Sequence, residues 1–113
     1  MADQTVDRAT FASLQETAGA DFVHELVETF LGEAPRMLDE LRDALANQDA
    51  ERFRRTAHSL KSNANTFGAS TLGRLARELE LGGMEPARDS SRLDELADEY
   101  RHVAQVLTEL ARA

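Results

Sequence analysis

One stretch of the chain combines residue types that could move a charged group: Ala57-His58-Ser59-Leu60-Lys61-Ser62-Asn63-Ala64-Asn65-Thr66-Phe67-Gly68. On a helix, side chains three and four positions apart share a face, which gathers Arg54, Arg55, Lys61 and Ser62 around His58 and sets Asn65 one turn further on. From Glu51 to Asn65, four basic side chains (Arg52, Arg54, Arg55, Lys61) stand against one acidic (Glu51), a local balance of +3 in a chain of -8. A neutral imidazole is a competent nucleophile near pH 7, and cations beside it disfavour its protonation while attracting a phosphoryl group. The chemistry these residues fit is phosphoryl transfer through a ring nitrogen, with Lys61 as electrostatic partner and the small side chains of Ser62 and Asn65 leaving a shallow, open surface. A histidine flanked by arginines on a helix is more often a solvated surface residue, and spacing alone leaves both readings standing.

The other histidines offer less. Glu99-x-x-His102 has the spacing of di-metal carboxylate bundles and Asp21-x-x-His24 is a weaker variant. Such a site needs inward-facing ligands and further carboxylates, whereas Glu99 and His102 flank the Leu96/Tyr100/Val103 stripe and are expected to face water, and Asp21 serves as a helix cap. No metal site is expected, and Asp39, Glu40 and Asp43 read as a solvated face. The absence of Cys excludes disulfides, thiolate nucleophiles and Cys-based zinc sites, and fits a reducing compartment. Six glycines form neither G-x-G-x-x-G nor G-x-x-x-x-G-K-[ST], which disfavours an ATP-using enzyme. A net charge of -8 and a pI near 4.8 oppose nucleic-acid binding. No apolar run approaches a membrane span and the first ten residues carry no apolar leader, so a soluble cytoplasmic chain with no membrane contact is expected.

Helices must position that histidine, and the apolar spacing says which. Apolar residues recur at three and four positions while alternating β-branched runs are missing, so the chain reads as all-α. A first short helix is expected from about Asp7 to Thr17, with Phe11 and Leu14 inward and Gly19 as its stop. A second carries Leu26, Phe30, Ala34, Met37, Leu38, Leu41 and Leu45, kinked at Pro35 and ending in Asn47, Gln48 and Asp49. A third, from about Ala50 to Phe67, sets Phe53, Ala57, Leu60, Ala64 and Phe67 on one face, with His58 beside that stripe and not on it. A fourth carries Leu72, Leu75, Ala76 and Leu79 and is stopped by Gly82, Gly83 and Pro86, with a linker to about Ser90. The last has Ser91 as N-cap, Asp94 and Glu95 in its first turn, and Leu93, Leu96, Tyr100, Val103, Leu107 and Leu110 inward. Such helices pack as an antiparallel four-helix bundle with a short additional N-terminal helix, a single domain over residues 1–113.

The segment around His58 resembles the histidine-containing phosphotransfer (HPt) domain of bacterial multistep phosphorelays. The likeness lies in Ala57-His58-Ser59-Leu60-Lys61-Ser62, in Phe67-Gly68-Ala69 and in Leu72-Gly73-Arg74-Leu75-Ala76-Arg77-Glu78-Leu79-Glu80, and upstream in Phe30-Leu31-Gly32-Glu33-Ala34-Pro35 with Asn47-Gln48-Asp49. The resemblance implies that His58 is the phosphoacceptor at its exposed ring nitrogen, that Lys61 contacts the phosphoryl group and that Gly68 turns the chain at the end of the site helix. Arg54, Arg55, Ser62 and Asn65 then form the docking surface. Many members have Gly where this chain has Ser62, which bears on how closely a partner approaches. The partners implied are response-regulator receiver domains and a hybrid sensor histidine kinase, with Mg²⁺ on the receiver and no cofactor on this chain. The expected role is a monomeric carrier without kinase activity of its own. The rival is a helical bundle that docks a kinase or receiver without carrying phosphate, and the presence of His58 and Lys61 argues against it.

Overall fold

The structure, a computed structural model, describes residues 5–88 and 90–112, apart from the side chains of Pro86 and Ser90. Asp7 starts α1 (Arg8–Ala18), its carboxylate accepting from the Ala9 N–H at 3.2 Å and from the Thr10 hydroxyl at 2.8 Å. Gly19, at φ +94°, both closes α1 and opens α2 (Ala20–Ala46). Asp21 therefore lies inside the first turn of α2 and caps nothing, against the sequence expectation; it faces the positive end of the helix dipole instead. The helix continues for 27 residues past Pro35 without dividing.

The α2 terminus and the end of α3 (Ala50–Thr66) close with the same motif. At the first, Gln48 takes φ +55° while Asp49 donates to the Ala44 carbonyl at 2.9 Å and Gln48 to that of Leu45 at 3.2 Å. At the second, Gly68 takes φ +81° while Ala69 donates to Ala64 at 2.9 Å and Gly68 to Asn65 at 3.1 Å. Asp49 then caps α3 by accepting from the Arg52 N–H at 3.2 Å.

Beyond α4 (Ser70–Gly82), the segment read as a linker forms a four-residue helix, α5 (Met84–Ala87). Ala87 is fully buried and Met84 packs on the core, which draws this connection onto the bundle. The last helix, α6 (Ser90–Arg112), accordingly starts one residue ahead of Ser91, which lies within it, and Asp94 and Glu95 fall beyond its first turn.

Cross-helix contacts give the topology. Arg52 reaches back to Glu40 and Asp43 across the α2–α3 turn. Between α3 and α4, His58 meets Glu80 while Asn65 lies against Gly73, so rising numbers on one helix meet falling numbers on the other. The pairs Leu31–Tyr100 and Arg42–Asp94 show the same for α2 and α6. Helices α2, α3, α4 and α6 thus form the antiparallel four-helix bundle expected, with α1 packed on α2 as the additional N-terminal helix. One core runs from Val6 to Leu107, and within it the Phe30 ring lies 5.4 Å from that of Phe67 and 5.9 Å from that of Tyr100. Among the described residues no helix is long and apolar enough to cross a membrane.

Candidate functional site

The α3–α4 hairpin builds the site, and two glycines set its geometry. Gly68 turns the chain as expected and also accepts from the Asp7 N–H at 2.8 Å, which ties the start of α1 to the turn. A Cβ on Gly68 would meet Thr10 Cβ at 2.9 Å and the Asp7 carbonyl oxygen at 3.0 Å. Gly73 is the point of close approach: a Cβ there would collide with Asn65 Oδ1, so the missing side chain lets Asn65 lie flat against α4. Leu60 and Ala64 on α3, with Leu72, Ala76 and Leu79 on α4, fill the space beneath.

On that hairpin His58 is 54% exposed, and its Nδ1 lies 2.8 Å from Glu80 Oε2. The other carboxylate oxygen, Oε1, is buried and stands 2.9 Å from Lys61 Nζ. Lys61 first and His58 second hold the Glu80 carboxyl below its ordinary range, against the opposing effect of desolvation. An ionised carboxylate only accepts hydrogen bonds, so Nδ1 must carry the ring proton, leaving the Nε2 lone pair on the open side of the ring. A histidine oriented through one nitrogen and free at the other is the arrangement of a nucleophile.

Charge distribution corrects the sequence reading here. The cations around His58 are not a free patch: Arg52 pairs with Asp43 at 2.8 Å and Glu40 at 3.3 Å, Arg54 with Glu51 at 2.8 Å, and Lys61 with Glu80. Arg55 lies 4.0 Å from the same Glu51 and is widely exposed. The Arg54 guanidinium accordingly holds the Glu51 carboxyl low. The group in contact with the imidazole is a carboxylate and not a cation, because Arg52 turns toward α2 and Arg54 toward its own helix terminus. Arg54, Arg55, Ser62 and Asn65 are all exposed on α3.

Glu80 is the residue of this cluster that periodicity missed. It sits one position off the Leu72/Ala76/Leu79 stripe, as His58 sits one position off its own stripe, and a hairpin turned at Gly68 brings the two flanks together. Away from this site, His102 Nδ1 lies 3.9 Å from Glu99 Oε1. Glu99 is only 17% exposed and does not face water as expected, since its side chain lies in the α4–α6 groove. His24 makes an exposed contact with Glu28 at 3.5 Å, one helical turn along α2. Among the described residues no three His, Asp or Glu side chains converge on a common point.

An up-down helical bundle that offers one imidazole nitrogen beside a half-buried Glu–Lys pair is the class these features define. The Hpt domain family model matches residues 25–112. The chain belongs to that family. It is 35% identical over 95 residues to the phosphorelay protein LuxU of Vibrio vulnificus (strain YJ016), spanning 84% of this chain and 79% of that protein. Against the sensor protein TorS of Escherichia coli (strain K12) it is 33% identical over 78 residues, 69% of this chain but 8% of the sensor. The crystal structure of histidine-containing phosphotransfer protein B from Pseudomonas aeruginosa PAO1 superposes with a TM-score of 0.88 at 28% identity, covering 98% of this chain and 97% of that one. The HPT domain of a hybrid histidine kinase from Shewanella shares the fold, with a TM-score of 0.75 at 20% identity over 94% of this chain and 92% of that one.

Proposed function

We propose that this chain is a phosphoryl carrier in a two-component phosphorelay, loaded on His58 by the aspartyl phosphate of one receiver domain and unloaded onto the aspartate of another. The observation that carries the reading is the imidazole held through Nδ1 by Glu80 at 2.8 Å, with the rest of a half-exposed ring open. The Nε2 lone pair attacks phosphorus. The N–P bond forms as the P–O bond to the receiver carboxylate breaks, and the aspartate leaves with the bonding pair. The ring becomes an imidazolium that keeps its Nδ1 proton, and the adjacent Glu80 carboxylate stabilises that charge. Lys61, tethered to the other oxygen of Glu80, is the near cation for the phosphoryl oxygens. The same steps in reverse discharge the carrier. The receiver brings the Mg²⁺ that such a transfer uses, and no cofactor is assigned to this chain. Relatives described as phosphorelay, phosphotransfer and sensor proteins support receiver domains and a sensor histidine kinase as the class of partner. The role assigned is a monomeric carrier without kinase activity of its own, with the kinase of the hybrid type.

The test is transfer from a panel of phosphorylated receiver domains to the wild-type chain and to His58→Gln. Acid-labile, base-stable label on wild type and none on the variant is expected, with the fold retained because the side chain is exposed. Lys61→Ala should slow transfer or shorten the life of the phosphohistidine without preventing docking. Label that persists on His58→Gln, or receiver binding with no transfer to wild type from any donor, overturns the carrier reading, and the second outcome favours a docking module.

A further inference from the structure

His58 leans toward α4, since its Nδ1 rests on Glu80, and so its half-exposed ring stands at the seam between α3 and α4. A partner that reaches Nε2 in line must cover both helices. On the α4 side of that seam stands Arg77, four residues after Gly73, which abuts Asn65, and three before Glu80, which abuts His58 and Lys61. Arg77 is exposed, and among the described residues it has no carboxylate partner. Every basic side chain of α3, by contrast, lies within 4.0 Å of a carboxylate. One turn beyond Arg77 is Leu81, 67% exposed, the more exposed of two large apolar side chains left in solvent among the described residues. It adjoins Glu80 in sequence and so stands level with the imidazole.

Charge gives Arg77 a role. Glu80 and Lys61 cancel each other's charge, so neither is left over for the partner. The partner's phosphorylation site approaches as an anionic surface. A guanidinium without a carboxylate beside the seam complements that surface, and it needs no existing ion pair to be broken first.

We propose that Arg77 and Leu81 form the α4 rim of the surface on which a phosphorylated receiver domain docks, a proposal that rests on the carrier reading above. Arg77 meets the anionic groups at the receiver's phosphorylation site, and Leu81 supplies apolar contact beside them. The docking surface is then wider than the α3 residues Arg54, Arg55, Ser62 and Asn65, and α4 contributes to the choice of receiver.

Two donors separate docking from chemistry: the receiver domain of the panel that labels the wild-type chain, and potassium phosphoramidate, a small phosphoryl donor that needs no docking surface. Arg77→Glu should raise the receiver concentration needed for half-maximal transfer by about tenfold or more, and Leu81→Ser should raise it about fivefold, the range expected of a charge and an apolar contact at an interface. Arg77→Ala should flatten the salt dependence of receiver transfer. Labelling by phosphoramidate should match wild type in all three, and circular dichroism should show an unchanged fold because both side chains are exposed. Wild-type receiver dependence in both Arg77→Glu and Leu81→Ser, with wild type and not His58→Gln labelled, overturns the rim and leaves the carrier reading intact. Equal loss with receiver and with phosphoramidate also overturns it, assigning the two residues to the histidine chemistry. If wild type takes no label from either donor, the carrier reading fails and the rim fails with it.

Discussion

The Tyr100 hydroxyl on α6 donates to the Leu31 carbonyl on α2 at 3.3 Å. In a regular helix that carbonyl would accept from the N–H of residue 35, but residue 35 is proline and has none. A side chain from a facing helix therefore fills a vacancy that the sequence creates within α2, and packs its ring on Phe30 while doing so. Burial raises the Tyr100 phenol above its usual range, so it remains a donor throughout neutral pH.

If the two features are one device, their effects on stability must be coupled. Tyr100→Phe should cost about 1 kcal/mol in the wild-type chain, the usual value of such a bond. In a Pro35→Ala background the restored N–H takes the Leu31 carbonyl, and the same substitution should cost clearly less. Urea unfolding of the four variants measures the coupling. Identical costs in both backgrounds would show that the hydroxyl does not compensate for the proline.

Glu80 has a distinct pH signature. Lys61, then His58, lower its pKa below the ordinary 4.5 in the folded chain. A carboxyl depressed on folding contributes stability that is fully present above the unfolded value and is lost as the pH falls through the folded one, so the contribution should fade only below pH 4.5. Carbon-13 NMR of the Glu80 carboxyl should show a midpoint below 4.5, and Lys61→Met should move it upward. An unmoved midpoint in the variant would remove Lys61 as the principal cause.

The apolar stripes of the four long helices were legible because each repeats over several turns, and His58 stood out because it interrupts no stripe. What escaped the sequence reading depends on contacts between helices. Glu80 lies 22 positions from His58 and acquires meaning only once the hairpin register is known. The cations Arg52 and Arg54 looked free because their carboxylate partners are on α2 or at the start of α3, a choice of rotamer and not of spacing. The α5 turn was hidden because four residues carry no period, and its position follows from the burial of Ala87. The donor missing at Pro35 was legible, but the hydroxyl that takes its place, in a helix that does not divide there, comes from far along the chain.

Gln48 holds a left-handed backbone, φ +55°, at the α2–α3 turn, where the corresponding residue of the α3–α4 turn is Gly68. A residue with a Cβ is disfavoured in that region by roughly 1–2 kcal/mol, while glycine loses some of the gain through its freer unfolded chain. Gln48→Gly should therefore stabilise the fold by about 0.5–1 kcal/mol, visible as a rise of a few degrees in Tm by calorimetry. A fall in Tm would mean that the Gln48 side chain supplies more than the strained backbone costs.

Gly68 and Gly73 lie five residues apart and should fail in different ways when given a methyl group. At Gly68 the added Cβ meets the Asp7 backbone carbonyl at 3.0 Å and requires φ +81°, so neither backbone nor neighbour can yield cheaply. Gly68→Ala should cost about 1–2 kcal/mol from the left-handed backbone alone, with added loss as the start of α1 is pushed off the turn. At Gly73 the obstacle is the end of the Asn65 side chain, which can rotate, and alanine is a better helix former than glycine by about 1 kcal/mol. Gly73→Ala should thus leave Tm close to wild type while lifting Asn65 off α4 into the surface a receiver must approach. Thermal unfolding read beside receiver transfer separates the two: loss of Tm for Gly68→Ala, slower transfer at unchanged Tm for Gly73→Ala. If Gly73→Ala transfers at the wild-type rate, the position of Asn65 against α4 has no bearing on docking.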